Sequence, residues 1–250
     1  MGTQSKLKKN MLRLILISIA GTMIYGLPYF RSYYYDAYLQ TYGLTNSQMG
    51  MFGSIFGIMG ACSYLFGGVV ADMFSARKLM TLSMILTGLG GLLHLFHPSY
   101  LMLVGIYFLW GFTSLFAFWP ALLKVLRSLA NEDEQSKAYG FMDATRGITN
   151  ALQLAVTLAI FNALSKKASD LAGLNGVVIF YSAVCIVMGI GLYFVLDEKK
   201  LQTGSDGAED ESKFSFAIVK QVLKMPVVWL LSLVVCCSYT MPILFYYFTP

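Results

Sequence analysis

The chain has 250 residues, of which 57% are apolar and only 12% charged, with a mean hydropathy of +0.63. A water-soluble globule needs a charged shell, so this composition excludes one and points to helices that have lipid as their solvent. The net charge of +5 does not indicate a nucleic-acid partner, because the basic residues stand at the ends of apolar segments rather than in one patch.

The first stretch is basic and then apolar, like a signal peptide. Its apolar run is too long for a signal core, and no small-residue cleavage pattern follows. It therefore reads as a spanning helix. A hydrocarbon core about 30 Å thick takes roughly 20 helical residues, and seven segments meet that length: 11–40, 47–71, 77–96, 99–127, 138–164, 175–196 and 225–248. Gly26 and Pro28 are expected to bend the first. Cys62, Cys185, Cys236 and Cys237 lie inside apolar stretches without metal-ligand spacing and read as small packing residues. No cofactor is indicated, and the lack of a P-loop pattern argues against an ATP-driven pump.

Short connections keep their lysines and arginines on one side. Lys6, Lys8, Lys9 and Arg13 precede the first span; Arg77 and Lys78 follow the second; Arg127 and Lys137 follow the fourth; Lys199, Lys200, Lys213, Lys220 and Lys224 follow the sixth. The opposite side has a tight turn at His97-Pro98 and only Lys166 and Lys167, with His94 and His97 expected at the interface. This pattern predicts a multi-pass protein of an inner or plasma membrane with a cytoplasmic N-terminus. Three parts follow: a six-helix unit over 1–197, a cytoplasmic linker over 198–224, and one further helix over 225–250. The linker holds the polar run Gly204 to Glu211, too polar and glycine-rich to pack, and Phe214 to Lys224 reads as an amphipathic surface helix.

The run Gly68-Val69-Val70-Ala71-Asp72-Met73-Phe74-Ser75-Ala76-Arg77-Lys78 resembles the signature loop between helices two and three of the major facilitator superfamily. Met73 stands where that family usually has arginine. The resemblance implies an all-α integral membrane bundle of two six-helix halves, with the substrate at the midplane and alternating access by rocking. This chain would supply the first half and one helix of the second, so a chain truncated from twelve helices is expected, two-chain assembly being the alternative. The resemblance also implies a conformational latch of Gly68, Asp72, Arg77 and Lys78. Physically, Gly68 would allow close helix contact, and Asp72 would accept bonds from a helix terminus or a basic partner. The plainer reading makes Asp72, Arg77 and Lys78 solvated turn charges that fix topology.

Ionisable residues deep in a span are costly and mark function. Arg31, Lys124, Asp143 and Arg146 are the four here, and their settings are similar to those of the organophosphate and anion transporters of the superfamily. Arg31 resembles that group's inward arginine of helix one, and Trp119-Pro120-Ala121-Leu122-Leu123-Lys124 its helix-four stretch. Asp143-Ala144-Thr145-Arg146 falls where the group has an asparagine and then a histidine. The helix over 225–248 departs by lacking the group's second phosphate-binding arginine. Gathered in one pocket, these residues would carry a charge of about +2 and favour an oxyanion, with Arg31 and Arg146 offering planar forks. Tyr35 is the tyrosine expected to line that pocket beside Arg31. Each has a plainer reading: Lys124 snorkels, Arg31 reaches the headgroups, Asp143 and Arg146 form a structural pair, and Tyr35 belongs to an interfacial belt.

The reading these expectations support is a secondary transporter of a small organic anion, whether carboxylate, sulfonate, sugar acid or phosphate ester. Its partners would be the bilayer and a proton or counter-anion. The alternatives are a proton-linked sugar carrier or drug exporter using Asp143 as the protonatable carboxylate, and a transporter-fold receptor without flux. An enzyme is not expected, since no nucleophile-and-base or metal-ligand set is visible.

Overall fold

Lipid offers no hydrogen-bond partners, so a chain this apolar folds as helices whose backbone bonds close internally. The computed structural model describes residues 5–196 and 224–248, the side chains of residues 65, 235, 239 and 241–248 excepted. The chain divides into two compact units, Met1–Ser205 and Asp206–Pro250.

The first unit opens with the short helix α1 (Lys6–Lys9) and a bent first span, in which α2 (Met11–Met23) and α3 (Gly26–Tyr33) meet at 47°. The bend falls where it was expected. Pro28 sits in the first turn of α3, where an amide N–H has no intrahelical partner to lose. Tyr34 then leaves helical geometry, at φ −121° and ψ 42°, before α4 (Tyr35–Tyr42). The second span comprises α5 (Asn46–Cys62), a π-helical stretch Ser63–Gly67 and α6 (Gly68–Met73), with a bend of 65°. The third is α7 (Ala76–Leu92) with a 3-10 end at Leu93–Phe96, after which His97 turns the chain at φ 50°. The fourth joins α8 (Tyr100–Trp110) to α9 (Trp119–Ser128) through a π-helical stretch Gly111–Phe118. Then come α10 (Gln135–Lys167) and α11 (Asp170–Val195). In the second unit α12 (Pro226–Phe248) occupies the place expected for a seventh helix. Thr45, Ser75, Ser99 and Ser169 cap α5, α7, α8 and α11 by accepting a bond from the backbone N–H three residues on.

Four stretches are long and apolar enough to cross a membrane alone, and the two bent pairs raise this to six. Seven were expected; α12 is apolar over Pro226–Ser238 among the described residues. The expected linker over 198–224 and its surface helix lie outside the described residues except for Lys224.

Small residues let α7 and α11 approach closely. A Cβ at Gly88 would stand 2.8 Å from the Ser182 carbonyl oxygen. α10 closes the bundle against α2 and α11, and α5 packs on α8. α10 is apolar on its outer face, where Ile148, Leu152 and Val156 are exposed, while Thr149, Gln153 and Thr157 are buried. That inversion is what a helix with lipid outside and protein inside requires.

One expectation is corrected. His94 is not interfacial but fully buried: it stacks on Trp110 with centroids 5.1 Å apart, its Nε2 lies 3.1 Å from the Tyr38 hydroxyl, and Phe30 meets it edge-on. The 3-10 end of α7 tucks the ring under α4, which the sequence pattern treated as a simple continuation of helix one.

Gly88→Ala is expected to destabilise the bundle by about 1–3 kcal/mol, because a backbone oxygen cannot swing aside as a side chain can. Thermal unfolding of the detergent-solubilised chain measures this, and an unshifted midpoint would mean that α7 and α11 separate freely.

Candidate functional site

Asp72 lies in the last turn of α6, and its carboxylate meets the Lys124 ammonium of α9 at 3.0 Å. The same Nζ donates to the Ala71 carbonyl, also at 3.0 Å. The two groups were expected to serve separately, Asp72 in a latch and Lys124 in a binding pocket; the structure brings them together at the end of the bundle that carries α1. Arg77 turns the other way. Its guanidinium lies over the Tyr193 ring at 4.5 Å and donates to the Leu196 carbonyl at 3.5 Å, gripping the end of α11. The Lys78 amide N–H donates to the Ser75 cap, and its side chain is exposed. The close approach expected at Gly68 falls one residue earlier. A Cβ at Gly68 meets nothing within 4 Å, whereas one at Gly67 would stand 2.6 Å from Pro120. The π-helical turn before α6 rotates Gly67, not Gly68, toward helix four.

Arg31 is 3% exposed, which excludes the reading in which it reaches headgroups. It donates from Nη1 to the Met49 carbonyl at 3.2 Å and lies 5.4 Å from the Tyr107 ring centroid. Its Nε is buried without an acceptor, and among the described residues no carboxylate forms an ion pair with it. Tyr35 is not beside it: the break at Tyr34 carries Tyr35 off the face of α3, and its hydroxyl donates to Asn46 Oδ1 at 2.9 Å.

Asp143 and Arg146 are paired along α10 at 3.3 Å, with side chains 67% and 29% exposed. The guanidinium lies over Trp119 at 5.0 Å. Trp119 meets Tyr25 edge-on at 6.4 Å, and Tyr25 donates its hydroxyl proton to the Ser114 carbonyl at 3.4 Å. A half-buried aromatic wall from helices one and four thus backs the pair from helix five.

Arg31, Lys124 and Arg146 thus have different partners: the Met49 carbonyl, the Asp72 carboxylate and the Asp143 carboxylate. Sequence reasoning missed Tyr107 and Tyr25, whose roles depend on which face of a helix meets which neighbour. Among the described residues, no group of three or more His, Cys, Asp or Glu is placed to hold a metal ion.

Comparison with known proteins places this geometry. The chain is 31% identical over 93% of its length to the inner membrane protein YqcE of Escherichia coli, and 28% identical over 90% to the inner membrane protein YihN of the same organism. It is also 26% identical over 96% of its length to an uncharacterised MG294 homologue from Mycoplasma pneumoniae. It spans about half of each, covering 54%, 53% and 54% of their lengths. Residues 13–250 match the model of the Major Facilitator Superfamily, and the chain belongs to that superfamily.

Proposed function

We propose that this chain forms part of a secondary transporter that moves a small organic anion by alternating access, with the N-terminus in the cytoplasm. The superfamily supports the transporter, and the positive end of the bundle supports the orientation. The observation that carries the anion is Arg31: a buried guanidinium with an unused donor and, among the described residues, no ion-paired carboxylate is costly in lipid unless a ligand supplies the negative charge. Arg146, held by Asp143 and Trp119, supports the same reading. Asp143 is the carboxylate available for proton coupling, and anion exchange is the other mode these residues allow.

Arg31→Gln is expected to weaken binding of a labelled carboxylate, sulfonate or phosphate ester by about 10- to 150-fold, the range for hydrogen bonds to charged groups. Equilibrium binding to the purified chain measures it. Unchanged affinity removes the anion reading, and binding of neutral sugars alone replaces it with a proton-linked carrier.

Asp72 and Lys124 are the ion pair we propose as the conformational latch, with Arg77 securing the neighbouring helix end. Their side chains are 53% and 39% exposed, so a double-mutant cycle with Asp72→Asn and Lys124→Gln should give a coupling of about 0.2–1 kcal/mol. A coupling of zero would leave Asp72 as a topology charge.

A further inference from the structure

The charges at the N-terminal edge of the bundle take no part in the proposed anion site or latch, and beyond marking orientation the way they are held points to a partner. Glu134 is 8% exposed and tied on several sides. Its carboxylate accepts the Ser5 hydroxyl, the Leu7 amide N–H at 3.1 Å and the Asn131 amide N–H at 3.3 Å. Asn10 adds a bond from Nδ2 to the Leu129 carbonyl at 3.3 Å. Leu7 is buried on the same turn. The strap from Ser5 to Arg13 is thereby fastened across the connection between α9 and α10.

Fastening fixes what the strap presents outward. Lys8 and Lys9 are exposed, and one turn further along Leu12 is 69% exposed. Lys8 and Lys9 end α1 and Leu12 opens α2 just past the break at Asn10, so two ammonium groups immediately precede an exposed apolar side chain at the start of the first span. Arg127 in the last turn of α9 and Lys137 in the first turn of α10 are exposed on either side of the connection. Glu132 and Asp133, exposed in the same connection, offset part of that charge. A cationic pair followed at once by an exposed aliphatic side chain matches the boundary between phospholipid headgroups and acyl chains, with charge complementary to anionic headgroups. A soluble polyanion would have no use for the exposed leucine.

We propose that the strap Ser5 to Arg13 is a docking surface for anionic phospholipid headgroups, with Lys8 and Lys9 contacting phosphate, Leu12 seated in the acyl layer, and Glu134 as the positioning residue that holds the strap in place. This inference uses no residue of the proposed anion site, so the two stand or fall separately.

The test is binding of phosphatidylglycerol against phosphatidylcholine to the detergent-purified full chain, read by native mass spectrometry and by the shift in unfolding temperature. Phosphatidylglycerol should bind preferentially. Lys8→Gln with Lys9→Gln should weaken it by about 5-fold per lysine and about 30-fold together, with phosphatidylcholine unaffected. Raising the salt should erode the preference, since exposed charges are screened over about 8 Å at physiological ionic strength. Glu134→Gln should lower the preference without removing a cation; should that variant fail to fold, the exposed lysine pair and Leu12→Ser carry the test. Equal binding of both lipids, an unaltered lysine double variant, or full competition by the same concentration of inorganic phosphate would each overturn the proposal.

Discussion

Every backbone carbonyl that a membrane helix releases at a bend must find a donor inside the protein, because the lipid has none to give. Helix four widens over Gly111–Phe118, and side chains take carbonyls in and beside that stretch. Where helix two turns π-helical, Ser63 reaches across to the Leu115 carbonyl at 2.5 Å. In the π-helical stretch of helix four, Ser114 and Thr113 both bond the Trp110 carbonyl, at 2.5 and 3.3 Å, and Tyr25 takes that of Ser114. The residues that look like a binding vocabulary are in part the partners that let these helices deviate from straightness.

The same requirement explains where the charges sit. Arg31 and Lys124 each spend a bond on a backbone carbonyl of the adjacent span, Met49 and Ala71. Among the described residues, Lys124 also has a carboxylate and Arg31 has none. The difference separates a cation with a structural counter-charge from one whose charge is left over. Arg146 is intermediate, holding Asp143 along its own helix and Trp119 across to the next. The three cations thus have three kinds of partner.

Much of the fold was legible because apolar run length and basic flanks are one-dimensional signals. The helix positions, the bend near Gly26 and Pro28 and the turn at His97 all follow from residues close in sequence. The site was legible in its inventory but not its grouping. Lys124 was read as a pocket residue because its partner, Asp72, is 52 positions away; Tyr35 was placed beside Arg31 because nothing in a run of tyrosines announces that Tyr34 breaks the helix. The close contact was assigned to Gly68 rather than Gly67 for the same reason: a π-helical turn shifts the face by a residue and leaves no mark in composition. His94 was misplaced because a polar residue near the end of a span looks interfacial until its aromatic neighbours are known.

The bond between Ser5 and Glu134 joins residues 129 positions apart. At roughly 5–20 residues per second, the ribosome needs about 6–26 s after making Ser5 before Glu134 exists. During that interval the residues of the first four spans are made while the strap has no carboxylate to fasten it. The strap is therefore a late clasp, closing only when the fifth span begins to emerge.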